Sequence, residues 1–410
     1  MYGSVLIGAR EDATRRRGRT ARDILSFWCS EAPSRLNVGW TLSFDLSPVL
    51  HAGRTANLAR TRAEGQVLVS IGAAGQWYFD WIDATCGAPA RHIGVEYYSA
   101  PPAVLPANVE WVANTAGSMP DVETGVADLL VSGQNIEHLW QEEVAGFLAE
   151  AHRVLRPGGR MIIDSPNRTI TQIYGGAHPE HMVELTVEEA VELVTAAGFD
   201  VQRVAGILLC RDAATGEVLP IDGLAEISPP ALVFRSVAAI DDAENSYLWW
   251  IEAVRADREP DTAKVLDIID RYWAIGWPER MDRLVTTIGK PETLADGRLA
   301  WQSDIGDSGP LSFGPYAPIK AGRYRTTLNV MRTTDIKPSQ ILGHVDVIVG
   351  DGSVVEGRTE LTGKTLPKGE WKPITLDFEL ADMRFGFQNR LFSYGVAGLR
   401  VERRLKFTAL

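Results

Sequence analysis

Glu96 has the position of a cofactor ligand. It stands about 20 residues past the small-residue turn Gly72-Ala73-Ala74-Gly75, where a carboxylate can accept hydrogen bonds from both hydroxyls of a ribose. Small residues at such a turn let a ligand lie against the backbone, and the helix start that follows offers free N–H groups. The spacing points to a nucleoside cofactor without saying which one. A second group of residues is suited to moving a proton. His138 follows Glu137, and His178 and His181 flank Glu180 on a loop opened by Gly175-Gly176. Imidazole titrates nearest neutral pH of all side chains. Two histidines and a glutamate on one loop suit a base or a metal ion, and the expectation here is a base with no metal. The competing readings are a helix-capping role for His138 and unemployed loop histidines for the others. Asp164 and Asn167, at the end of an apolar run, have oxygens for substrate hydroxyls or a divalent cation.

These residues need a scaffold, and the periodicity supplies one. Val67-Leu68-Val69-Ser70-Ile71 is a mostly β-branched run suited to a strand buried on both faces. Helical spacing over Trp77–Thr85 precedes a second strand at His92–Val95, which ends in Glu96. Strands are predicted at 109–113, 126–132, 160–164 and 199–204. A helix is predicted over 142–155, with apolar residues on one face and Arg156-Pro157-Gly158-Gly159 after it. Thr186 and Glu189 form the capping box of a further helix that ends at Gly198. Strand–helix alternation at this spacing predicts an α/β fold with a doubly wound, mainly parallel sheet, whose ligands bind beyond the carboxyl ends of the strands.

Over about residues 60–210 the order of these pieces resembles class I S-adenosylmethionine-dependent methyltransferases, which have a Rossmann-like fold. The resemblance is carried by Val67 to Gly75, by Glu96, by Ala127-Asp128-Leu129-Leu130-Val131-Ser132 with Glu137-His138-Leu139, and by Leu155-Arg156-Pro157-Gly158-Gly159-Arg160. Ser70 stands where the family usually has an acidic residue, and Gln76 near its third glycine. The resemblance implies S-adenosyl-L-methionine as cofactor. Gly72, Ala73 and Gly75 would face its methionine part, Glu96 would hold the ribose, and Thr115 and Ala116 would contact adenine. Gln134 would lie near the sulfonium. Methyl transfer to an alcohol is driven by positioning and helped by a base within hydrogen-bond reach. His181 ranks ahead of His138 for that role, with His178, Asp164 and Asn167 on the substrate side.

Composition and the remaining chain set limits. The 410 residues exceed one ordinary core, so more than one domain is expected. A net charge of −12 argues against a nucleic-acid binder. The basic cluster Arg15–Arg19 reads as a solvated tail. Cys29, Cys86 and Cys210 lie far apart, as suits a reducing cytoplasm, and no apolar run is long enough to span a membrane. Residues 1–59 read as a short helix (21–29) and a loop or lid (35–48). Residues 60–210 form the cofactor domain and 211–296 a helical extension, including an aromatic helix from Asn245 to Glu252 that packs on the sheet or a dimer partner. A helical segment is also predicted from Val265 to Trp273. From 297 to 410 alternating, aromatic-rich segments at 323–330, 344–349, 371–378 and 399–407 predict an antiparallel β-sandwich of roughly seven or eight strands. Gly314-Pro315-Tyr316, Ala321-Gly322-Arg323-Tyr324 and Gly369-Glu370-Trp371 resemble jelly-roll modules of glycan-assembly enzymes. Tyr316, Trp371 or Tyr394 would then be a sugar platform, with core packing as the competing reading. The chain is therefore expected to methylate a sugar hydroxyl of a glycan or glycolipid precursor. The alternative is a scaffold or glycan-binding protein with a degenerate cofactor site. A nicotinamide dehydrogenase would normally keep Gly-x-Gly-x-x-Gly, which the turn does not supply.

Overall fold

Val67–Ile71 forms the first strand (β1) of a seven-stranded sheet, buried as its β-branched sequence requires. The computed structural model describes residues 46–410 except 74, 177, 179, 225, 226, 351 and 353. The expected helix at 21–29, the basic cluster at 15–19 and the 35–45 part of the lid segment lie outside the described residues. Within the chain there are two compact units. One runs to Gly175 and resumes over Glu184–Asp270, and the other comprises Gly176–Val183 and Arg271–Leu410.

The sheet of the first unit also contains β2 (Arg91–Val95), β3 (Val109–Val112), β4 (Ala127–Gly133), β5 (Leu155–Pro166), β6 (Phe199–Leu209) and β7 (Ser246–Arg255), in the order β3-β2-β1-β4-β5-β7-β6. Strands β1 to β5 pair in parallel, and β7 is inserted antiparallel between β5 and β6. Its helices are α1 (Leu46–Leu58), α2 (Gln76–Cys86), α3 (Gln141–Val154), α4 (Arg168–Thr171), α5 (Val187–Ala196) and α6 (Pro229–Ala239). The capping box of α5 forms as expected. Thr186 N–H donates to Glu189 Oε2 at 2.8 Å, and Glu189 N–H donates to Thr186 Oγ1 at 3.2 Å.

Two elements correct the sequence reading. The aromatic segment from Asn245 is strand β7 rather than a helix. Leu248, Trp249, Trp250 and Ile251 are all buried, so consecutive residues fill both faces of the sheet. A strand achieves this by alternation, whereas a surface helix would have turned some of them to water. The end of the lid segment is also helical, since α1 begins at Leu46 with Pro48 in its first turn, where a missing N–H costs nothing.

The helix Thr262–Met281 (α7) contains the helical stretch predicted from Val265. The second unit has two antiparallel five-stranded sheets. One is built from β10 (Ser308–Ser312), β16 (Arg384–Tyr394), β13 (Ile341–Val349) and β14 (Val354–Thr362), with β11 (Pro315–Ile319) also on β16. The other is ordered β15 (Trp371–Leu380), β12 (Gly322–Arg332), β17 (Leu399–Ala409), β9 (Leu299–Ser303), β8 (Lys290–Thr293). Val345, Val347, Phe387 and Leu391 of the first sheet share one core with Leu328, Val330, Leu376 and Val401 of the second. Among the described residues, no helix is long and apolar enough to cross a membrane.

Candidate cofactor and substrate site

The register of four neighbouring strands defines the site. Val95 of β2 pairs with Ile71 of β1, Ile71 with Ser132 of β4, and Gly133 with Asp164 of β5. The line Glu96, Gly72, Gly133, Asp164 therefore runs level across the carboxyl edge of the sheet. At about 4.8 Å per strand it spans roughly 14 Å. Gly72 and Gly75 have φ of 76° and 107°, conformations that favour glycine. A Cβ on Gly75 would meet nothing within 4 Å, and one on Gly72 only Asn135 Oδ1 at 3.9 Å. The turn thus leaves bare backbone beside the start of α2.

At the other end of the line the chemistry is charged. Asp164 is buried, and its Oδ1 accepts from Gln134 Nε2 at 2.8 Å. Arg54 of α1 brings its Nε to 2.9 Å from the same oxygen, and its guanidinium lies 5.2 Å from the Trp81 ring centre. Burial pushes the Asp164 carboxyl upward, while Arg54 and Gln134 pull it down. Gln134 has φ of 56°, a left-handed conformation rare outside glycine. Its N–H donates to Asp164 O at 2.9 Å, so both its backbone and its side chain are tied to Asp164.

Ser70 is buried in β1, and its Oγ lies 2.9 Å from His92 Nε2. Burial lowers the His92 pKa from 6.5 to about 4, so the imidazole is neutral at pH 7. His51, packed 5.0 Å from the Trp81 ring centre, is lowered to about 3, mainly by burial and then by Arg54. As pH falls, the unfolded chain takes up these protons first. Both contributions to stability are complete above 6.5 and lost below it, that of His92 down to about 4. By linkage the His92 loss is about 2 to 3 kcal/mol at pH 4.5. Urea denaturation at pH 7 and 4.5 should show a smaller acid loss in His92→Gln than in the parent. An equal loss would mean that His92 is not held neutral.

The other expected site residues fall as follows. Glu96 follows β2 directly, and its Oε1 accepts from the N–H groups of Tyr98 at 2.7 Å and Ser99 at 2.9 Å. Thr115 pairs with Ser118 in an isolated bridge, with Ala116 buried between them. His138 ends a short 3₁₀ helix, Ile136–His138, just after Gln134 and Asn135. It is Trp140 N–H, bonded to Glu143 Oε2 at 2.8 Å, that closes the start of α3. His178 and His181 belong to the second unit, their ring centres 5.3 Å apart. His181 is buried, and its carbonyl accepts from Arg280 Nε at 3.1 Å.

Asn167 is corrected outright. It is fully buried, its Oδ1 accepts from Thr169 N–H, and its Nδ2 lies within 3.4 Å of the carbonyls of Ala243, Glu244 and Ser246. Its amide caps α4 and ties the loop before β7, so nothing remains for a substrate. Asp164 is buried at the edge of the site, where its carboxylate accepts from Gln134 and faces Arg54. Sequence reasoning missed Arg54 and His51 altogether. Their spacing of three residues on one helix face was the available signal, but it required α1 to be recognised as a helix.

A family model described as a methyltransferase domain matches residues 69–163. A protein of Mycolicibacterium smegmatis described as "Probable S-adenosylmethionine-dependent methyltransferase" is 35% identical over 143 residues, covering 31% of this chain and 54% of that protein. A Mycobacterium tuberculosis protein of the same description is 32% identical over 164 residues, covering 37% of this chain and 55% of its own length. The chain thus spans about half the length of the curated relatives it matches. A solved S-adenosylmethionine-dependent methyltransferase from Mesorhizobium loti is similar over 50% of this chain and 98% of its own, with 14% identity and a TM-score of 0.35. Residues 69–163 thus match a methyltransferase domain on a Rossmann-like sheet, and the family and relatives imply S-adenosylmethionine as its cofactor.

Proposed function

We propose that the chain is an S-adenosylmethionine-dependent O-methyltransferase of the cytoplasm that acts on a sugar hydroxyl of a glycan or glycolipid precursor. The observation that carries the transferase reading is the level pair of Glu96 and Gly72, which offers a ribose acceptor and an open, side-chain-free backbone position on adjacent strands. In this reading Glu96 holds the ribose, Gly72, Ala73 and Gly75 lie along the methionine part, Thr115 and Ala116 border the adenine, and Gln134 stands at the methyl group. His181 is proposed as the proton acceptor, ahead of His138, with His178 beside it.

The sugar reading is supported by the outer face of the sheet that contains β13. Asp346 is fully buried there and holds Arg390 through two hydrogen bonds of 2.9 and 2.8 Å. His344 Nε2 lies 3.2 Å from Asp346 Oδ2, which turns the acceptor Nδ1 toward Tyr394 Oη at 3.0 Å and Arg358 Nη2 at 2.9 Å. Phe392 stacks on His344 at 5.4 Å, and Tyr394 and Arg358 are exposed. A fixed tyrosine and guanidinium beside aromatic faces suit the mixed apolar and hydroxylated surface of a saccharide. Trp371 instead stacks with Arg298, 5.3 Å from the ring centre, and Tyr316 is half-buried, so Tyr394 becomes the proposed platform.

Calorimetric titration with S-adenosylhomocysteine, using NAD as control ligand, tests the first part. Micromolar binding of the first alone is expected, followed by methyl transfer to sugar acceptors. Binding of neither would favour the scaffold reading. On an array of neutral and uronate oligosaccharides, Tyr394→Ala and Arg358→Ala should each weaken binding by about tenfold. If the parent binds nothing on the array, the sandwich is not a glycan module.

A further inference from the structure

The cofactor of this domain has a zwitterionic α-amino-acid end, and the glycine turn has no charge to meet it. Gly72, Ala73, Ala74 and Gly75 are neutral, and Ser70, which stands where an acidic residue is usual, is committed to His92. Opposite charges do lie on the same edge, two strands away. Arg54 and Asp164 are both buried there, and Asp164 is level with Gly133 and, through β4 and β1, with Gly72.

Three features set this pair apart from a plain structural ion pair. Among the described residues, Asp164 is the only ion-pair partner of Arg54. Arg54 Nε lies 2.9 Å from Asp164 Oδ1 and helps pull that carboxyl down, which occupies one of the five N–H groups of the guanidinium. A buried guanidinium therefore retains donors to spare, which is costly unless a ligand uses them. Second, the pair crowds the one position in β4 that has no side chain. A Cβ on Gly133 would fall 2.1 Å from Asp164 Oδ2 and 2.2 Å from Arg54 Nη2. Third, the same carboxylate holds Gln134 in its left-handed conformation, which fixes the loop that follows β4.

From this placement we infer that Arg54 and Asp164 receive the amino-acid end of the cofactor, the guanidinium pairing with its carboxylate and the aspartate, together with Gln134, with its ammonium. The inference rests on the methyltransferase reading: the turn lies along the methionine chain, and α1 and β5 supply the charges for its amino-acid end. Planar guanidinium matches a carboxylate with two parallel hydrogen bonds, and charge-assisted bonds of this kind are about twice as strong as neutral ones. Between ligands, the two residues hold each other, so neither is left as a lone buried charge.

The test compares two ligands that share the adenosine and the sulfur. S-Adenosylhomocysteine has the amino-acid end, and 5′-methylthioadenosine lacks it. Titrated into the full chain, the first should bind about a hundredfold more tightly than the second. In Arg54→Met/Asp164→Asn, which removes both charges together, the two affinities should converge within about threefold while that for methylthioadenosine is retained. Arg54→Lys should restore part of the discrimination, since it keeps the charge without the fork. Retained methylthioadenosine binding also reports that the variant is folded. Equal weakening of both ligands would mean that the pair is merely structural, and undiminished discrimination would place the amino-acid end elsewhere. Either result overturns the inference alone. An unaltered chain that binds neither ligand would instead overturn the methyltransferase reading.

Discussion

Gly133→Ala is expected to abolish measurable S-adenosylhomocysteine binding while the second unit stays folded. The added methyl would lie 2.1 Å from Asp164 Oδ2 and 2.2 Å from Arg54 Nη2, well inside contact distance. Neither group has an easy retreat. Asp164 is held by Gln134, and Arg54 lies against the Trp81 ring. Overpacking a filled site costs about 1–3 kcal/mol, and here the strain falls on the edge that would receive the ligand. Displacing Asp164 would also release Gln134 from its left-handed conformation. The affinity loss should therefore exceed the roughly hundredfold that 3 kcal/mol alone would give. Calorimetry gives the affinity, and thermal unfolding separates local strain from global collapse. Binding at parental strength would mean that the edge over Gly133 is not on the ligand's path.

Local signals carried the part of the site that was legible in the sequence. Val67–Ile71, the turn at Gly72 and Gly75 and the carboxylate of Glu96 are close in sequence, and each follows from strand propensity or backbone conformation. The Thr186–Glu189 capping box was legible for the same reason. What stayed hidden depends on topology. Arg54 meets Asp164 only because its side chain reaches from α1 to the ends of β4 and β5, and no local pattern links residues that far apart. Position at a strand end did not reveal where Asn167 points, and its amide turned out to be used by three carbonyls of a distant loop. The misreading of β7 has a related cause. A continuous apolar aromatic run fits either a buried strand or a helix, and only the burial of both faces decides between them.

Glu96→Ala should lower the affinity for S-adenosylhomocysteine and for 5′-methylthioadenosine by the same factor, about a hundredfold. Both ligands contain the ribose, so a residue that holds it cannot distinguish them, in contrast to Arg54 and Asp164. The magnitude follows from losing two hydrogen bonds to a charged acceptor, each contributing about 1.5 kcal/mol or more. Part of the effect acts through the chain itself, because Glu96 Oε1 also accepts from Tyr98 and Ser99 N–H and so orders the turn after β2. Glu96→Gln separates the two contributions. Its amide oxygen can still accept those backbone donors, but it lacks the charge and the second acceptor oxygen, so a smaller loss of about tenfold is expected. If Gln binds as weakly as Ala, the carboxylate's charge facing the ribose hydroxyls dominates. If Gln binds as well as the parent while Ala does not, Glu96 acts by ordering the turn. Should Ala itself retain full affinity for both ligands, the ribose is held by some other group, and the level line from Glu96 to Asp164 loses its nucleoside end.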